Sequence, residues 1–137
     1  MARILSIDYG KKRTGLAETD DLQIIASGLT TVETPSLFDF ISKYIKENEV
    51  EKFVVGYPTR LNGEKSETTF MVEAFAKKLL KKFPSIPIQM VDERMTSQMA
   101  FNTMIESGIS KKKRRNKGLI DKISATIILQ SYLEQNN

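Results

Sequence analysis

Cysteine, histidine and tryptophan are all absent from this 137-residue chain. Without cysteine there is no disulfide and no thiol nucleophile. Without cysteine or histidine there is no zinc finger, no Ser-His-Asp triad and no imidazole general base. Any chemistry falls to carboxylates, Lys and Arg, hydroxyls, or a metal ion held by oxygen ligands. Long apolar runs are missing too, and nothing approaches the ~18–20 residues of a membrane helix. The opening apolar stretch is broken by Ser6 and ends at Asp8, which argues against a signal peptide. A cytoplasmic protein without membrane contact is expected.

What is present reads as a globular domain, with 40% hydrophobic and 28% charged residues. Domains commonly span roughly 100–200 residues, so residues 1–137 are expected to form one domain around one core. The 21 Lys and Arg against 17 Asp and Glu give a net charge of +4. That excess is local. Residues 111–117 (KKKRRNK) hold six cations and no anion, and the rest of the chain carries 15 basic against 17 acidic residues. A concentrated excess suggests an anion contact at one place on the surface.

Arg3–Asp8 (RILSID) has strand character and is followed by a Gly-bounded turn, YGKKRTG. Thr14–Glu18 and Ile24–Val32 then read as strands, joined closely enough to be antiparallel neighbours. After Pro35 the period changes. Ser36 and Asp39 resemble a capping box, and Leu37, Phe38, Ile41, Tyr44 and Ile45 recur at helical spacing. Lys52–Gly56 is a compact apolar run of the buried parallel type. Tyr57–Lys65 is a loop with Pro58 and the turn pair Asn62-Gly63. A helix fits Ser66–Phe83, with Lys77, Lys78, Lys81 and Lys82 on a solvated face. Ile88–Glu93 follows as a strand, Thr96–Ser107 as a helix and Leu119–Leu133 as a final apolar-striped helix. The pattern predicts one α/β domain, its first strands antiparallel and its later ones parallel.

Carboxylates stand at three junctions. Asp8 ends the first strand, and such a position points into the crevice where open α/β sheets bind ligands. An ordinary Asp-x-Gly turn would read the same way. Asp92 and Glu93 end the last strand beside Arg94, where they could also pair with it or cap the next helix. Which of the two faces the crevice is not legible from a strand buried on both faces. Asp121 falls on one helical stripe with Ala125, Ile128 and Tyr132, or else serves the dipole of its helix. If these acids converge, a divalent cation offsets their repulsion, and oxygen-only ligation favours Mg²⁺ or Mn²⁺ over Zn²⁺. Carboxylate-held ions of this kind recur in phosphodiester hydrolysis. Arg60, in the loop after Gly56, could meet a phosphate. The 111–117 run directly precedes Asp121, where a polyanionic backbone would lie.

Asp8-Tyr9-Gly10 with Lys12-Arg13-x-Gly15-x-Ala17 resembles the opening motif of the YqgF family. Gly56-Tyr57-Pro58 through Asn62-Gly63 resembles its Gly-x-Pro loop, and Asp92-Glu93-Arg94-Met95-Thr96-Ser97 its Asp-Glu-Arg motif. Lys117, Asp121-Lys122 and Ile127–Leu133 resemble its C-terminal signature. Glu64 and Tyr57 depart from the usual pattern, and neither touches the acids. The resemblance runs from Arg3 to Leu133. It implies an RNase H-like (RuvC-like) fold, a central five-stranded mixed sheet of three antiparallel strands then two parallel, flanked by helices. It implies a nuclease in which Asp8, Glu93 and Asp121 are catalytic and hold Mg²⁺ or Mn²⁺, with Asp92 a further candidate ligand. Lys12, Arg13, Arg60, Arg94, Lys111, Lys112, Lys113, Arg114, Arg115 and Lys117 would bind nucleic acid. The expected substrate is the 5′ end of pre-16S rRNA, in ribosomal precursor particles. The alternative is branched DNA, resolved as a Holliday junction. From another class, an actin-like phosphate-binding domain also fits Asp8-Tyr9-Gly10, and a third reading is a non-catalytic nucleic-acid-binding module that keeps the fold without the chemistry.

Overall fold

The structure, a computed structural model, describes residues 2–58, 63–92 and 117–135, with side chains in the last stretch from Leu119 onward. Three strands come first: β1 (Arg3–Asp8), β2 (Arg13–Thr19) and β3 (Ala26–Glu33). A 3-10 turn (Thr34–Ser36) leads into helix α1 (Leu37–Glu47), strand β4 (Val50–Tyr57) and helix α2 (Glu67–Lys82). Strand β5 (Ile88–Asp92) and helix α3 (Lys117–Gln135) complete the described elements. The expected helix over 96–107 lies outside them.

The strands form one five-stranded sheet in the order β3-β2-β1-β4-β5. β1/β2 and β2/β3 are antiparallel, while β1/β4 and β4/β5 are parallel. This is the expected mixed sheet. Its middle strands are apolar on both faces, because helices cover both. Leu5, Ile7, Leu16, Phe53 and Val55 pack against Leu37 and Ile41 of α1 and Val72, Phe75 and Leu79 of α2. Ile4, Ala17, Val54 and Val91 point the other way, against Ala125, Ile128, Leu129 and Tyr132 of α3. Burial of each such side chain contributes about 1.5–3 kcal/mol.

Two local expectations change. Ser36 makes no side-chain cap bond, and its backbone (φ −94°, ψ 1°) belongs to the 3-10 turn that Pro35 begins. A capping hydroxyl needs an extended backbone to reach back to the first turn. The reciprocal box forms at α2 instead, between Ser66 and Thr69, with a threonine hydroxyl where Glu or Gln is usual. Second, β3 begins at Ala26, later than its apolar run. The Asp20 carboxylate accepts the N–H groups of Ile24 (2.8 Å) and Ile25 (2.9 Å), holding them in the β2–β3 turn.

Candidate functional site

Because β1, β4 and β5 are parallel, Asp8, Tyr57 and Asp92 all reach the same edge of the sheet. Side chains alternate between faces along a strand, so Asp8 shares a face with Ile4 and Ser6. That face is covered by α3: Ile4 packs in its cluster, and the buried Ser6 hydroxyl donates to the Ala125 carbonyl at 2.8 Å. Asp8 therefore stands on the α3 side of the sheet.

Asp8 pairs in register with Gly15 of β2. A Cβ on Gly15 would run into the carbonyl group of Asp121. Only glycine lets the α3 backbone settle this closely onto β2. The consequence is that Asp8 and Asp121 both neighbour Gly15, one from the adjoining strand and one from the helix above. Arg13, on the same face as Gly15, donates from Nε to Asp121 Oδ2 at 3.2 Å. Both side chains remain partly open to solvent, at 37% and 25% exposure. Arg13 was expected at phosphates. Its position on a candidate acid was not legible in sequence, because residues 13 and 121 meet only through the packing of α3 on β2.

Asp92 stands differently. Ile88 and Met90 pack into the α1/α2 cluster, whereas Val91 joins the α3 cluster. Alternation thus gives Asp92 the α1/α2 face, opposite to Asp8. Its register partner Tyr57 faces the same way and donates its hydroxyl to Glu73 of α2 at 3.2 Å. Lys65 donates to the same Glu73 oxygen, and that carboxylate raises the Lys65 pKa. Among the described residues no three Asp or Glu side chains converge as a metal-binding group. The donor set is nonetheless of the right chemistry: Asp8 and Asp121 supply hard carboxylate oxygens, the ligands that Mg²⁺ and Mn²⁺ prefer.

Lys12 is exposed in the β1–β2 turn, and Lys117 opens α3 without a described side chain. Arg60, Glu93, Arg94, Lys111, Lys112, Lys113, Arg114 and Arg115 lie outside the described residues. At the opposite edge of the sheet a separate network ties α1 to β1 and β2. Glu18 Oε1 accepts from Arg3 at 2.6 Å and from the Tyr44 hydroxyl at 2.7 Å, and Arg3 also bonds Asp21. Burial, reinforced by Glu18, pushes the Tyr44 phenol above its ordinary range. The Asp21 and Glu18 carboxylates hold the Arg3 guanidinium charged.

The mixed sheet, with Asp8 at one edge beneath a long C-terminal helix that carries Asp121, defines an RNase H-like domain of the RuvC type. The fold matches Thermus thermophilus RuvC in complex with Holliday junction substrate, at TM-score 0.59 and 14% identity. That match covers 100% of this chain and 97% of the other. Fowlpox virus resolvase, solved with junction DNA, matches at TM-score 0.56 and 12% identity over 98% of each chain. The chain belongs to the RuvX family, described as Holliday junction resolvase, which matches residues 2–135. Among its relatives, a protein of Porphyromonas gingivalis is 58% identical, with 98% of this chain and 97% of that one aligned. One of Bacteroides fragilis is 54% identical over the same shares. Both carry the name "Putative pre-16S rRNA nuclease".

Proposed function

We propose that this protein is a divalent-metal-dependent endonuclease that cuts pre-16S rRNA on its 5′ side. The observation that carries the reading is that Asp8 and Asp121 both neighbour Gly15, on one face at one edge of the sheet. The names of its relatives supply the substrate. Asp8, Glu93 and Asp121 would hold Mg²⁺ or Mn²⁺. Asp92 stands on the α1/α2 face, away from Asp8, which supports Glu93, the third acid of the sequence motif, over Asp92. An ion held there would supply Lewis acidity toward the attacking water and the leaving oxygen. Arg13, bonded to Asp121 Oδ2, holds that carboxylate in one orientation. The turn cation Lys12, together with Arg60, Arg94, Lys117 and residues 111–115, would take the flanking phosphates. Ribosomal precursor particles in the cytoplasm are the matching setting.

The test pairs wild type with Asp8→Asn on rRNA precursor in Mg²⁺, Mn²⁺ or EDTA, with the cut ends mapped. Wild type is expected to cut only with metal. Asp8→Asn is expected to lose cleavage by at least a hundredfold and to keep binding within about threefold; full cleavage by the variant would overturn the assignment. The family description favours a second reading, junction resolution. Resolution requires two symmetric cuts and so a dimer with paired sites. A four-way DNA junction in the same assay, with sedimentation of the protein alone and with junction, separates the two.

A further inference from the structure

On the other side of Asp8 lies a crevice that the metal chemistry does not use. Tyr9 follows Asp8 directly and turns to the α1/α2 face, where its ring stacks on Phe75 at 4.4 Å and 15°. Phe38, opening α1, meets the same Phe75 at 5.7 Å. Beside this stack, Phe38, Thr34 and the exposed Ala74 and Lys78 of α2 border a cavity of about 200 Å³. A site for a whole small molecule commonly spans ~300–1,000 Å³. This one suits a single planar ring system whose sugar and phosphate stay outside.

Its surroundings define the ligand further. The rim carries Lys78, and Lys82 sits over the Phe38 ring at 5.2 Å. Beyond Tyr9 the turn adds the exposed Lys11 and Lys12. Aromatic walls with cations on either side complement a base flanked by phosphates. The wall is also fixed to the turn after Asp8. Thr34 donates its N–H to the Lys12 carbonyl at 2.9 Å and its hydroxyl to the Gly10 carbonyl at 2.6 Å.

We propose that this crevice receives one unpaired nucleobase of the substrate strand, adjoining the phosphate presented at Asp8. The proposal rests on the nuclease reading and deepens it. It makes substrate choice depend on an unpaired nucleotide beside the cut, because a base within a duplex cannot leave its stack without cost.

The test fills the crevice and leaves its aromatic walls intact. Ala74→Leu lies on an exposed helical position, away from the acids, and leucine suits a helix. The probe is a fluorescein-labelled RNA carrying the 5′ flank of pre-16S rRNA, bound in EDTA, with a single abasic site walked along its unpaired nucleotides. With wild type, one or two adjacent abasic positions are expected to raise Kd by about 5- to 150-fold, the span of one base–aromatic stack. With Ala74→Leu, the intact RNA should bind only as well as that abasic RNA binds wild type, and the walk should be flat. Phe38→Leu should weaken the same position partially. A flat walk with wild type that still binds RNA overturns the crevice assignment alone. So does an unchanged position dependence in Ala74→Leu. Wild type that binds no RNA overturns this assignment and the nuclease reading together.

Discussion

Gly15 ties the site together: it is the register partner of Asp8 and a point where the α3 backbone lies directly against β2. Its contacts there are backbone atoms, which have no rotamer to yield. Gly15→Ala must therefore lift α3 or bend β2, and overpacking of this kind costs about 1–3 kcal/mol. Thermal melting is expected to fall by roughly 4–12 °C, with cleavage lost more steeply than stability because Asp121 moves relative to Asp8. A variant that melts and cuts like wild type would show that the close approach is not needed. The positions of Asp8 and Asp121 in the fold were legible in the sequence because each is set locally, one at a strand end and the other on a helical stripe. Asp92 and Glu93 were not. A strand apolar on both faces hides which face is which until the helices covering it are known, and here Val91 against α3 gives the calibration. The Arg13–Asp121 pair was hidden for a related reason, since a basic residue in a turn suits a phosphate and a carboxylate equally well.

At the scale of elements, alternation and helical period located every described strand and helix, and side-chain hydrogen bonds moved their ends. Ser36 and Ser66 look alike in sequence, but only Ser66 has the extended backbone that lets its hydroxyl cap. Thr69 further donates its hydroxyl to the Pro58 carbonyl, so the cap also ties α2 to the loop leaving β4. The β2–β3 turn shows the same control by one side chain. The N–H groups of Ile25 and Ile24 favour the charged form of Asp20 and hold its pKa below the ordinary carboxylate value. A carboxylate depressed in the folded state contributes stability that is fully present above its unfolded pKa, ~3.9, and is lost as pH falls through the folded value. The Ile24 and Ile25 amide resonances should therefore hold steady above about pH 4 and shift below it, with a midpoint under the ordinary Asp value. In Asp20→Asn that titration should vanish. A midpoint at or above ~3.9 would contradict the bonded geometry.

Across the whole molecule the two edges of the sheet do different work. The edge with Arg3, Glu18, Asp21 and Tyr44 binds its own charges internally. The other edge gathers Asp8, Asp121 and the turn cations, and the chain's basic run precedes α3 by sequence alone. Without residues 111–117 the chain holds 15 cations against 17 anions, so its general field does not attract a polyanion. Affinity for nucleic acid should then depend on where positive charge sits more than on how much there is. Each phosphate neutralised steepens the dependence of log K on log salt by ~0.7 on single strands and ~0.9 on duplex. Replacing Lys111, Lys112, Lys113, Arg114 and Arg115 by Ser should weaken binding and flatten that slope by as much as ~3.5–4.5 if all five meet phosphates. Replacing the exposed Lys77 and Lys81 of α2 should change the slope by less than about 0.5. Equal flattening per charge in the two variants would mean that total charge governs binding. An unchanged slope in the first would remove the basic run from the interface and leave Lys12 and its neighbours at the sheet edge to carry the phosphates.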